Sequence, residues 1–267
     1  MTDCVHSRVD DIARAIERVA PLRWQESYDN AGIQVGDCEA MVTGVLLCTD
    51  VTMAVIDEAI ARGYNMVVSH HPLIFHGLKK LAGRNRVERM VAHAIKHDIA
   101  LYCAHTNMDN APAGVSHHMA HKLGLTDVEV LEAHDDAGEL VGSGVIGSVT
   151  PMPVTHLLRQ VKETFEVQAL RYSGDTTGMV TRVALCGGAG SFLIDCARQA
   201  GAQVYITGDV KYHDFQLADE GIVIADIGHY ESEHFTVELF AEIIGRDCPD
   251  VRVDLAREER NPVKYLI

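Results

Sequence analysis

Residues 44–71 read GVLLCTDVTMAVIDEAIARGYNMVVSHH. A short β-branched apolar run, GVLLCTD (44–50), leads through the helical pattern TMAVIDEAIARG into a second run, NMVVS (65–69), that ends on two histidines. Strand, helix and strand at this spacing make a βαβ unit, which places the two strands parallel and side by side in one sheet. Further runs of the same kind follow at IALYCA (99–104), VIGSV (145–149), RVALCG (182–187), VYIT (204–207) and GIVIADI (221–227). Segments such as RVERMVAHAIKHD and SFLIDCARQAG lie between them with helical periodicity. The chain therefore reads as α/β with largely parallel sheet, and no proline-rich or low-complexity linker divides it.

The opening stretch also has a counterpart. Residues 44–69 align without gaps on 182–207 at a constant offset of 138, with seven identities: Val45/Val183, Leu47/Leu185, Cys48/Cys186, Ile56/Ile194, Asp57/Asp195, Ala59/Ala197 and Gly63/Gly201. At an offset of 124, His105-Thr-Asn-Met-Asp109 falls on His229-Tyr-Glu-Ser-Glu233. Each half thus carries a histidine followed four residues later by a carboxylate. The expectation is two similar α/β lobes related by internal duplication, residues 1–125 and 126–267 of one continuous globular unit. Ligands bind at the carboxyl ends of strands in such sheets, so one site between the lobes is expected there.

Composition agrees with a folded α/β protein: 267 residues, 47% hydrophobic and 23% charged, enough chain to bury roughly three quarters of its unfolded surface. The 38 acidic against 23 basic residues give a formal charge of −15, opposite to the footprint of a nucleic-acid binder. Lys79, Lys80, Arg84, Arg86 and Arg89 are a local basic cluster, read as a solvated face. The seven cysteines (4, 38, 48, 103, 186, 196, 248) are odd in number and contain no C-x-x-C pair. Neither a disulfide framework nor a zinc ribbon is indicated, and a reducing cytoplasm fits. The start of the chain is amphipathic at Val9, Ile12, Ile16 and Val19 rather than signal-like, and no stretch approaches the ~20 apolar residues of a membrane span.

Chemistry concentrates at the strand ends. His70 and His71 precede Pro72, which biases His71 away from helix. On a regular strand their rings would point to opposite sides, so both serve one site only through two neighbouring ions or an irregular turn. His229 and Glu233, at i and i+4, share a helical face and can converge on one ion, and a carboxylate can bridge two. Asp109 supplies a second oxygen donor. Imidazole with carboxylate suits zinc, iron, manganese or nickel rather than magnesium or calcium. The candidate metal ligands are His70, His71, Asp109, His229 and Glu233, a set that leaves coordination positions open.

Other features carry less. His105 is a ligand by repeat symmetry or a partner of Asp109; His76 lines a pocket or the surface; His117, His118 and His121 sit on an ordinary helix. CGGAGSF (186–192) reads as a tight strand-to-helix turn whose amides could otherwise face an anion, and DNAGIQVGD (29–37) reads as a loop. No G-x-S-x-G elbow appears, and no cysteine has an evident histidine partner. Metal-activated water is then the natural nucleophile. No side chain is assigned as a catalytic group.

SHHPLIFHGLK, CAHTNMDNAPAGV, CGGAGSF, ITGDVKYHDF and IGHYESEHF, in that order, resemble the GTP cyclohydrolase 1 type 2 homologues, the NIF-three-like dinuclear metal-binding proteins, from residue 29 to the C-terminus. The resemblance implies two similar α/β lobes around a two-metal site and a ring-shaped homohexamer. His71, Asp109 and Glu233 would hold one ion, and His70, His229 and Glu233 the other. Ser27-Tyr28 stand where many members have a tryptophan before DN, and Ile227 where alanine is usual. Residues 126–180 are too short for the extra domain of longer members, which marks the compact form.

The expected protein is a cytoplasmic, metal-dependent hydrolase with two divalent ions (zinc, iron or manganese), acting on a small polar or nucleotide-like substrate. Asp209, Lys211 and His213 in GDVKYH read as supporting residues rather than as proton shuttles or anion contacts. The alternative is a non-catalytic metal-binding regulator, scaffold or metal chaperone.

Overall fold

A computed structural model describes residues 7–266. Eleven strands follow one another along them: β1 (Gly32–Val35), β2 (Val45–Cys48), β3 (Met66–Ser69), β4 (Ala100–Cys103), β5 (Thr126–Asp136), β6 (Glu139–Pro153), β7 (Arg171–Ser173), β8 (Met179–Ala189), β9 (Val204–Gly208), β10 (Val223–Asp226) and β11 (Val253–Leu255). They divide between two compact units. One unit runs to Met108 and resumes at Phe235–Asn261; the other comprises Asp109–His234 and the residues from Pro262.

In the first unit the sheet order is β1-β4-β3-β2-β11, with β4, β3, β2 and β11 parallel and β1 antiparallel at the edge. Every residue of β2, β3 and β4 is buried, as expected of parallel strands covered on both faces. Helix Met53–Arg62 forms because Val55, Ile56 and Ala59 fall on one stripe and the Thr52 hydroxyl accepts from the Val55 amide at 3.2 Å. Helix Arg86–Lys96 begins on Asn85, whose side chain accepts from the Glu88 amide at 2.9 Å. Met90, Val91 and Ala94 of this helix pack with Val55, Ile56 and Ala59 over Leu46, Val67 and Leu101. Each such fully buried aliphatic side chain contributes about 1.5–3 kcal/mol. Helices Val9–Val19 and Thr236–Asp247 pack on each other, the latter also against β2 and β11.

The second unit has the order β5-β6-β8-β9-β10-β7. Its centre, β8-β9-β10, is parallel, while β7 runs antiparallel to β10 and the long hairpin β5–β6 antiparallel to β8. Leu193, Ile194 and Ala197 cover Ala184, Tyr205 and Ile224.

Each sheet therefore holds three consecutive parallel strands with an antiparallel strand beside the third: β2-β3-β4 with β1, and β8-β9-β10 with β7. The 138-residue offset sets Val45 on Val183 and Met66 on Val204, within β2 on β8 and β3 on β9. Three expectations change. DNAGIQVGD contains strand β1 and is not wholly loop. VIGSV is the middle of a 15-residue strand. The units part at Met108 and exchange the last helix, whereas the sequence places a boundary at residue 125. The reason is packing: helix Val115–Leu123 lies on β6 and β8, and helix Thr236–Asp247 on β2.

Cys38, Cys48, Cys103, Cys186, Cys196 and Cys248 are free thiols; Cys4 lies outside the described residues. Burial pushes the thiols of Cys48 and Cys103 well up, with carboxylates of Glu259 and Asp50 adding to the first and Asp29 to the second. An unfolded thiol ionises near pH ~8.5, so above that the unfolded chain holds fewer protons than the folded one. Stability is therefore fully present below pH ~8.5 and declines above it, by about 1.4 kcal/mol per pH unit for each thiol. Urea unfolding between pH 7 and 10 measures this decline, and Cys48→Ala should make it shallower. Equal slopes for the variant and the parent would show that the thiol does not titrate with unfolding.

Candidate metal centre

In the first unit, β3 ends at Ser69 and the chain bends. His70 and His71 continue the pairing with β2 through amide hydrogen bonds to Cys48 (3.1 Å) and Thr49 (2.9 Å). Their ring centroids lie 4.9 Å apart at 43°, so strand alternation does not hold here and the rings are neighbours. His105, just past β4, stands 5.4 Å from each of them. His70 is fully buried.

Each ring is fixed through its Nδ1. His70 Nδ1 donates to the Ala104 carbonyl at 2.9 Å, His71 Nδ1 to Asp50 at 3.1 Å and His105 Nδ1 to Asp29 at 2.8 Å. A carbonyl can only accept, so the His70 proton sits on Nδ1 and its lone pair on Nε2. The anchors are themselves held. The Thr49 and Asp50 amides donate to Glu259 at 2.7 and 3.0 Å, and Asp29 accepts from the amides of Asn30 (2.7 Å) and Thr106 (3.0 Å) and from the Thr106 hydroxyl. Burial alone would raise the Asp29 carboxyl, but hydrogen bonds from His105 and Thr106 outweigh it and hold the group far below the ordinary carboxylate range.

In the second unit, helix His229–Glu233 follows β10. His229 Nδ1 contacts Asp209 at 2.9 Å, and its Nε2 lies 3.0 Å from Glu233 Oε2. Glu233 is only 3% exposed, and Asp109 closes the one-turn helix Thr106–Asp109. Two glycines make room for this helix. A Cβ on Gly188, at φ +61°, would collide with the Glu233 carboxylate, and one on Gly208 would press the His229 backbone at 2.9 Å. Residues 186–189 thus end β8 and receive Glu233, while Gly190 caps the helical turn Ser191–Leu193 that follows, so the stretch does lead from strand to helix. Asp226, 3% exposed, ties the surrounding loops together by accepting from Val210 (3.0 Å) and Gly228 (2.9 Å) and pairing with Arg171. The Cys186 thiol nearby is pushed up to about 12 by burial, with Asp109 and Glu233 adding, so it remains a protonated thiol.

His70 and His71 in the first unit and Glu233 in the second are donors of the kind that could hold a metal ion. His229 contacts Glu233, while Asp109 and His105 stand in their own units as described. His76 is exposed, its ring 4.9 Å from Phe75. Lys211 and His213 are exposed, and Asp209 is engaged with His229. Sequence reading missed Asp50, Asp29 and Asp226 as anchors. For Asp226 the signal was present, an acidic residue ending the apolar run GIVIAD.

The fold and this site define a two-sheet α/β protein with a histidine and carboxylate group suited to a metal. The chain belongs to the Duf34/NIF3 (NGG1p interacting factor 3) family, whose model matches residues 7–262. It is 31% identical to a GTP cyclohydrolase 1 type 2 homolog of Clostridium perfringens over 97% of this chain and 100% of that one. A Streptomyces coelicolor protein of the same description is 33% identical, over 96% and 93%. Among solved structures, Staphylococcus aureus protein SA1388 superposes with a TM-score of 0.89 at 27% identity, covering 97% of this chain and 99% of that chain. Among the described residues no helix is long and apolar enough to cross a membrane.

Proposed function

We propose that this protein is a metal-dependent hydrolase with a dinuclear centre, in which His71, Asp109 and Glu233 hold one divalent ion and His70, His229 and Glu233 the other. The observation that supports it most is the anchoring of imidazoles through Nδ1: His70 on a carbonyl, His71 on Asp50 and His229 on Asp209. A metal-binding histidine characteristically gives its other nitrogen to such an oxygen, which fixes tautomer and ring orientation. The donor chemistry fits a borderline ion such as zinc, iron or manganese, and Gly188 leaves the space that Glu233 fills. The division between ions rests on the family resemblance.

Bound there, such ions supply acidified water and polarise a substrate oxygen. The chain itself orients the imidazoles. The relatives' description, GTP cyclohydrolase 1 type 2 homolog, supports a small polar or nucleotide-like substrate. A homohexamer is part of the same proposal, as is a reducing cytoplasmic setting, supported by the six free thiols among the described residues.

The test is purified protein loaded with zinc, iron or manganese, assayed against GTP, other nucleotides and cyclic amides beside His71→Ala and Asp50→Asn. His71→Ala should abolish turnover. Asp50→Asn should weaken metal binding about 10–100-fold. Unchanged turnover in His71→Ala would overturn the mechanism, and tight metal binding without turnover on any substrate would favour a regulator, scaffold or chaperone.

A further inference from the structure

Two exposed aromatic rings stand beside the histidines of the first unit. Tyr28 is 63% exposed and Phe75 38%, and their ring centroids lie 6.4 Å apart at 47°. Phe75 is in turn 6.3 Å from the His105 ring, which stands 5.4 Å from His70 and from His71. A row of rings thus leads from solvent to the buried His70. We propose that Tyr28 and Phe75 form a platform on which the planar heteroaromatic ring of the substrate stacks, its edge turned toward the histidines. This inference rests on the reading that substrate is handled at these histidines, and it names what part of the substrate the chain grips.

The platform is built in advance of any ligand. Leu73, Ile74 and Leu78 turn inward and pack on the core of the first unit, which leaves Phe75 at the surface. Three hydrogen bonds tie the two loops together: the Asn30 side chain donates to the Ile74 carbonyl at 2.6 Å, the Ile74 amide to Gln34 Oε1 at 2.8 Å, and Gln34 Nε2 to the Asn30 carbonyl at 2.7 Å. Tyr28 directly precedes Asp29, which holds His105 through Nδ1 at 2.8 Å. One loop therefore sets both an outer ring of the row and the imidazole next to it. Rings fixed in this way bind without a further ordering cost. Their faces accept any flat π-system, while a purely aliphatic occupant would press hydrocarbon against the imidazoles and strip them of water. A ring that is apolar on its faces and polar at its edge satisfies both ends of the row. The spacing from Phe75 to His105 is comparable with a fused two-ring heterocycle, so a base stacked on Phe75 can present an edge to His105.

Ligand-detected NMR and calorimetry on the full protein test this, with guanosine as the probe and ribose 5-phosphate as its base-free control. Saturation of the protein should transfer to the base protons of guanosine. Phe75→Ala and Tyr28→Ala should each weaken guanosine binding roughly 5- to 150-fold. Phe75→Leu, which keeps apolar bulk without a π-face, should weaken it as well, and Phe75→Trp should retain it. Both rings are exposed, so each variant should unfold close to the parent and take up zinc as the parent does. Superimposable guanosine isotherms for the parent and both alanine variants would overturn the platform. So would the absence of transfer to guanosine, or a loss of ribose 5-phosphate binding equal to that of guanosine. Any of these results with zinc uptake intact leaves the metal centre standing, whereas ring-dependent guanosine binding by a protein that takes up no metal would keep the platform and remove the dinuclear reading.

Discussion

Glu233→Gln is expected to lose bound metal while keeping its fold. The glutamine has the shape of glutamate and can still meet His229 Nε2, now 3.0 Å from Oε2, so the apo variant should unfold within about 1 kcal/mol of the parent. Its amide is neutral and offers a single oxygen donor, and it cannot serve two ions as a carboxylate can. Added zinc or manganese at a thousandfold excess over the dissociation constant would stabilise the parent by about 4 kcal/mol, roughly 8–16 °C in Tm for a chain of this size. The variant should shift by a small fraction of that, and elemental analysis after metal-supplemented expression should show the same loss. Full metal content with a full thermal shift in Glu233→Gln would remove Glu233 from the ligand set and with it the proposed sharing of ions.

The second large effect is expected at Asp226, which need not touch metal or substrate. In Asp226→Ala the Val210 and Gly228 amides lose their acceptor, and each buried donor left unsatisfied costs about 1–3 kcal/mol. Arg171 is 61% exposed, so releasing it to water adds little. The Val210 amide is buried and the Gly228 amide partly so, which puts the loss in the second unit at about 2–4 kcal/mol, read as a lowered urea midpoint. Val210 follows Asp209 and Gly228 precedes His229, so loosening both loops should also weaken metal binding. Asp226→Asn keeps one acceptor oxygen and should fall between the two. Wild-type stability in Asp226→Ala would show that water satisfies these amides and that the loops hold themselves.

How much was legible in the sequence depends on scale. The parallel strands β2, β3, β4, β8, β9 and β10 were all visible, because buried strands are apolar throughout and stand out from their helices. The edge strands were not. β1 is fully buried only at its two ends, β7 has three residues, none of them buried, and β5 is largely exposed, so no continuous buried run marked them. His229 and Glu233 were legible because i and i+4 on a helix is a local rule. The closeness of His70 and His71 was not, since it depends on the chain leaving strand geometry after Ser69. The anchors Asp29 and Asp50 were hidden for a third reason: they lie 76 and 21 residues from the histidines they hold, and a single sequence carries no sign of such pairings.

The return of helix Thr236–Asp247 and strand β11 to the first unit bears on the order in which the protein is made. β11 pairs with β2, a partner synthesised some two hundred residues earlier, and the helix packs on Val9–Val19 at the opposite end of the chain. A ribosome must therefore complete every strand of the second unit before the first can close its sheet. Until then β2 is an uncovered edge, open to pairing with another nascent chain. The second unit, begun later, is the one expected to fold first, and chains truncated near residue 234 should aggregate through the unfinished unit.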